Sequence, residues 1–255
     1  MLPSRRITSL SGEHLRDEYS MYFDATNNNR VNCGSDSSLD VGTSSFSVSA
    51  WFKAEDSGGS KDYWPIVSKG DSLSPGDGWA VTLVDSSSHT KKIYFDVASS
   101  AGGGTRQSGI TSADAYTLGT WNHYVATMDQ DNDGIKQYLN GTRIVTTGSI
   151  TLGDITDGSM NFFIGNDNDS RDYEGYISDV AFYKGVVLSA SQVATIYNGR
   201  EPYNHKEGVA STYLKGWWRM GDGTEGGSGS TVYDMSGNGN DGTVENGPVF
   251  STSIR

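Results

Sequence analysis

The chain has 255 residues, among them 33 Gly, 5 Pro, 14 Tyr, 8 Phe and 6 Trp; that aromatic bulk excludes a disordered chain, and the glycines suit many tight turns between paired strands. Its 19 basic and 31 acidic side chains give a formal charge of −12, which repels phosphate backbones, and no local basic patch offsets it, so nucleic acid is not an expected partner. Cys33 is the sole cysteine, which excludes an intramolecular disulfide and a cysteine-built zinc site.

Residues 1–19 read as a polar N-terminal arm, in which Arg5 and Arg6 have no apolar run behind them. The arm is therefore not expected to be a secretory leader, and no stretch of the chain reaches the length needed to insert in a membrane. From Ser20 the pattern turns to period two. In SFSVSAWFKA, Phe46, Val48, Ala50 and Phe52 fall on one side, with Ser47, Ser49, Trp51 and Lys53 on the other, which predicts a half-buried strand. WPIVSKG, WAVTLVD, KKIYFDVAS, TWNHYVATMD and GIKQYLNGTRIV follow the same logic. Asn140-Gly141 signals a type I′ hairpin. NFFIGND runs from an apolar strand into a loop rich in Asn and Asp, and YEGYISDVAFYKG predicts a further strand and glycine turn. One helix is expected near residues 189–198: Ser189 with Gln192 three residues on forms a capping box, and Val193, Ile196 and Tyr197 make a short apolar stripe. Strand centres spaced by about 8–12 residues describe an all-β sandwich of two antiparallel sheets. Residues 20–255 are expected to form one domain, with 212–255 returning to the same sandwich.

Several segments, in order, resemble the laminin G-like branch of the concanavalin A-like lectin/glucanase superfamily: YSMYFDATNNNRV, SFSVSAWFK, TWNHYVATMD, YLNG, FFIGND and YEGYISDVAFYKGVVLSASQVATIYN. The resemblance implies a jelly-roll sandwich. GWWRMGDG followed by TVYDMSGNGNDGTV is similar to a segment that more often begins such domains, and here it comes last. That order resembles domains of marine bacteriophage virion proteins. It implies a virion location, other virion proteins or further copies of the chain as partners, and surface glycans as ligands.

The candidate sites are rich in oxygen ligands. In the family's sandwich Asp24 and Asp179 lie on neighbouring strands. They would hold a structural calcium with Asn27 or Asn28, or else act as turn-capping carboxylates. Asp129, Asp131, Asp133 and Gly134 spell the start of a calcium loop but have Asn140 where a bidentate Glu is needed, so an acidic solvated turn is the other reading. Asn166, Asp167, Asn168, Asp169 and Asp172 would hydrogen-bond sugar hydroxyls at a rim, with Tyr63, Trp64 and Trp79 as a stacking platform, unless the tryptophans fill the core. The paired-acid strand motif of sandwich glucanases is absent, and no Glu recurs at strand spacing, so no catalysis is expected. A non-catalytic, lectin-like virion decoration or adhesion module is the favoured reading. A stand-alone cellular carbohydrate-binding protein and a glycoside hydrolase are the alternatives.

Overall fold

The structure, a computed structural model, describes residues 19–55, 63–70, 78–99, 105–131, 134–148, 152–155, 157–167, 171–221 and 229–255. Most of the expected N-terminal arm, Asp133, Asn168 and Asp169 lie outside them. In chain order the strands are β1 (Ser20–Asp24), β2 (Arg30–Asn32), β3 (Phe46–Ala54), β4 (Tyr63–Gly70), β5 (Gly78–Ser86), β6 (His89–Ser99), β7 (Thr105–Ile110) and β8 (Asn122–Asp129). They continue with β9 (Gly134–Leu139), β10 (Thr142–Thr146), β11 (Phe162–Ile164) and β12 (Glu174–Lys184), then helix α1 (Ala190–Tyr197). The last are β13 (Leu214–Trp218), β14 (Thr231–Val232), β15 (Gly242–Glu245) and β16 (Val249–Ser251).

Two antiparallel sheets result. The first runs β10-β9-β8-β3-β12-β1-β16, with β13 paired to β12; the second runs β14-β15-β2-β11-β4-β5-β6-β7. Strands from 212–255 thus enter both sheets. The period-two pattern explains the layering. Phe46, Val48, Ala50 and Phe52 of β3 join Trp79, Val81 and Leu83 of β5 and Ile93, Phe95 and Val97 of β6 in one core between the sheets. Trp79 stacks on Phe182 at 5.7 Å, and Phe162 meets Trp218 at 4.8 Å. Burying each such ring contributes about 1.5–3 kcal/mol. Trp64 and Trp79, 2% and 0% exposed, fill this core; they form no sugar platform.

Local signals are realised where the chemistry is unambiguous. Asn140 and Gly141 both take positive φ, 49° and 77°, as a type I′ turn needs. Ser189 caps α1 from its side chain while Gln192 reaches back to the Ser189 N–H. The helix closes at Asn198, in the left-handed region at φ 49°. Its Val193 and Ile196 pack with Leu188, Val125, Ala181 and Trp217 on the far side of the first sheet, making a second, smaller core. The β7 segment, TRQSGI, carries no apolar alternation and was not expected as a strand; its pairing to β6 fixes it.

Candidate functional site on the outer face of the second sheet

Because Val81, Leu83, Ile93, Phe95 and Val97 point into the core, Thr82, Tyr94 and Asp96 stand on the opposite, outer face of the second sheet. The register places Thr82 opposite Tyr94, Asp96 opposite Ser108, and Arg106 opposite Ala98. Asp96 is 0% exposed. Its Oδ1 accepts from Arg106 Nε at 3.1 Å and lies 2.8 Å from Nη2, and it also accepts from the Ser108 hydroxyl. Its Oδ2 has no hydrogen-bond partner, and neither has Thr82 Oγ1. Burial pushes the Asp96 carboxyl above the usual carboxylate range, against the pull of Ser108 and Arg106.

The turn after β11 leans over this face. Gly165 N–H donates to Ile66 O and the Ser68 hydroxyl to Asn166 O, each at 2.9 Å. Asn166 Nδ2 then donates to Asp172 Oδ1 at 2.7 Å, and Arg171 Nη1 to Asp167 Oδ2 at 2.6 Å. The Arg171 guanidinium stands 5.9 Å from the Tyr63 ring centre, and its charge acts on Asp96. Tyr63, 37% exposed, and half-buried Tyr94 give the cluster ring faces. Rings beside fixed acids and guanidinium groups can stack on a flat apolar patch and hydrogen-bond hydroxyls around it.

The expected calcium pair is not brought together. Asp24 lies opposite Glu174 on β12, five residues from Asp179. It accepts instead from the Thr26 N–H and hydroxyl, at 3.1 and 2.6 Å, as a turn-capping carboxylate. Asn27 and Asn28 take positive φ in the turn that follows. Asp179 sits at a bulge in β12 with φ 51° and is 2% exposed. It accepts from Trp217 Nε1 at 2.6 Å and Arg255 Nη2 at 3.1 Å, with His205 Nε2 at 3.6 Å. Burial opposes its ionisation, but the His205 and Arg255 charges outweigh it and hold the carboxyl well below the usual range. An arginine already answers this acid, so the set does not fit a calcium ion. Asp129 accepts from the Asp131 N–H at 3.0 Å in an exposed turn. Among the described residues no three His, Cys, Asp or Glu side chains gather as a metal cage. Asn166, Asp167 and Asp172 are at most 3% exposed and bond within their own loop, so they do not form an exposed rim, although Asn166 Oδ1 has no hydrogen-bond partner.

Elsewhere, a rim cleft of about 380 Å³ is lined by Asp40, Gly42, Asp154, Ile155, Asp157 and Gly158. Buried Lys69 faces Asp40 at 3.1 Å. Asp157 accepts from the Val41 N–H at 3.0 Å, and burial pushes its carboxyl up to about 6. The residues missed from the sequence, Thr82, Tyr94, Asp96, Arg106 and Arg171, left one signal. In KKIYFDVAS, an acid and a tyrosine alternate with the apolar positions of a core strand.

The two antiparallel sheets define a lectin-like β-sandwich fold. The chain belongs to the concanavalin A-like lectin/glucanases superfamily, whose family profile matches residues 24–194. Among solved structures it is similar to a protein from Bacteroides ovatus provisionally assigned to carbohydrate binding. There the identity is 18% and the TM-score 0.65, over 92% of this chain and 60% of that one. It is also similar to a heptameric pentraxin from Limulus polyphemus, at 14% identity and TM-score 0.55, over 94% and 95% of the two chains. A third is tailspike protein 2 of an Escherichia coli O157:H7 bacteriophage, at 15% identity and TM-score 0.52, over 86% of this chain and 31% of that one. No curated protein matches the sequence at a significant level.

Proposed function

We propose that this chain is a non-catalytic glycan-binding module serving as a structural or adhesion element of a virus particle, a capsid decoration or fibre component. The observation that carries the binding reading is the outer face of the second sheet, where exposed Tyr63 adjoins Tyr94 and Arg171, and Tyr94 in turn the Asp96–Arg106 pair. Likeness in fold to a phage tailspike supports the particle setting, and likeness to a heptameric pentraxin supports assembly with further copies of itself. The absence of catalysis belongs to the same reading. Of the acids of this face, Asp96 and Asp167 are each tied to an arginine and Asp172 to the Asn166 amide, whereas glycoside hydrolysis uses two carboxylates, about 5–10 Å apart, that exchange protons with the substrate.

A glycan array probed with the purified chain tests the binding. Retention of a defined sugar set, weakened by Tyr63→Ala, is the expected result; no retention of any sugar sinks it. Mass spectrometry of purified particles tests the setting. A glycan-binding chain absent from particles leaves the cellular carbohydrate-binding protein as the reading that stands.

A further inference from the structure

We infer that the outer face of β4–β7 takes a neutral, hydroxyl-bearing sugar ring, with Asp96 as acceptor for its hydroxyl groups, and not a carboxylated or sulfated sugar. This rests on the glycan-binding reading above and names the ligand class of that same face. The argument begins with two buried oxygen atoms. Asp96 Oδ2 and Thr82 Oγ1 have no hydrogen-bond partner, although both side chains are 0% exposed. They are neighbours on one face, since Thr82 opposes Tyr94, two residues before Asp96. A buried polar atom without a partner is costly, and the cost is recovered when a ligand supplies one.

What can supply it is chemically restricted. An ionised carboxylate oxygen only accepts, while a threonine hydroxyl both donates and accepts. A sugar hydroxyl serves both atoms. A ligand carboxylate or sulfate placed there brings acceptors alone, and anywhere near Asp96 it adds a like charge that a neutral sugar does not.

The arginines point the same way. Arg106 is paired with Asp96 at 2.8 Å and Arg171 with Asp167 at 2.6 Å, both acids being buried. Each guanidinium charge is therefore compensated in place, and an anionic ligand would have to draw it from an existing partner. The two arginine side chains are 31% and 24% exposed. They are the solvent-facing part of the cluster. Tyr63 and Tyr94 supply ring faces for the apolar side of the sugar. Lys92, paired in register with Val84 next to the Tyr63 row, is a remaining cation of that face. An anion held by Lys92 alone would be released by salt.

The test uses the full chain and a panel of neutral oligosaccharides beside uronic-acid, sialylated and sulfated ones, read by array and calorimetry at about 0.05 and about 0.5 M salt. Neutral sugars are retained equally at both salt levels, Asp96→Asn weakens them at least about tenfold, and Thr82→Val a few-fold. Thermal melting of each variant separates lost binding from lost fold. Should Asp96→Asn not fold, Thr82→Val and Tyr63→Ala carry the comparison. Retention of acidic sugars alone, lost in salt and indifferent to Asp96→Asn, overturns this inference and leaves glycan binding standing. Retention of nothing overturns the glycan-binding reading, and this inference with it.

Discussion

The two outer faces of the sandwich carry similar side chains to opposite ends. On the first sheet, Trp51, His123 and Asp179 are no more than 2% exposed, because Tyr197 of α1 and Arg255 lie over them. Several of their polar atoms are answered from within: Asp179 by Trp217 and Arg255, His123 Nε2 by Ser49 at 2.8 Å, Tyr183 by His205 at 2.5 Å, while His123 Nδ1 has no hydrogen-bond partner. On the second sheet Tyr63, Arg106 and Arg171 keep a quarter to a third of their side-chain surface or more in solvent, above two oxygens without partners. One face has been closed with a helix and a charge network. The other keeps a tyrosine ring and two arginines in solvent beside unpartnered oxygens, and the proposed recognition is assigned there.

Asp179→Ala should break this contrast most forcefully. It leaves Arg255 buried without its acid and costs about 3–5 kcal/mol in denaturant unfolding, with glycan retention by the folded fraction unchanged. A loss below about 1 kcal/mol would mean that the network does not hold the covered face together.

Acidification comes next. Burial, helped by the Arg255 charge, lowers the His123 pKa from 6.5 to about 3. Its contribution is therefore present above the unfolded value and fades as pH falls from 6.5 towards 3. Asp157 at the rim works in the other direction. Its folded value near 6 exceeds the ordinary 3.8, so its buried charge weakens the fold as pH rises from about 4 to about 6. Asp157→Asn removes that opposing slope. The variant should lose stability on acidification from pH 6 to pH 4 more steeply than the parent, by on the order of 2 kcal/mol; parallel melting curves across that window would refute it.

Ser189→Ala removes the side-chain cap of α1, the lid of the covered face, and should cost about 1 kcal/mol by chemical denaturation. Tyr63→Ala sharpens the comparison from the other side. Stability should stay within about 0.5 kcal/mol, while sugar affinity drops several-fold, up to about tenfold. A large stability loss would assign Tyr63 to the fold instead.

The layering was legible because period two forces it. Once Phe46, Val48, Ala50 and Phe52 share a side, the core and the antiparallel class follow, and Ser189 with Gln192 marks the helix by local bonds alone. The site was much less legible. Trp64 and Trp79 looked like a platform, but burial of two large rings between sheets outweighs any use at the rim. Asp24 and Asp179 do lie on neighbouring strands, as the resemblance implied, yet register sets them five residues apart, and register cannot be read from either segment by itself. Asp96 and Arg106 meet across a strand pair whose second member, β7, lacks alternation. Their partnership is a tertiary fact without a local trace.

The pairing of β1 with β16 joins Met21 to Phe250 and Ser20 to Ser251. Neighbours so remote along the polymer cannot meet before β16 has been made, and the conformational search that brings them together is slow for topologies of this kind. Until the last segment arrives, the β1 margin stays bare beside Phe23 and Met21. A nascent chain of this design therefore stays exposed to mispairing until β16 has been made, and deletion of β16 should lower the yield of native protein far more than three paired residues would suggest.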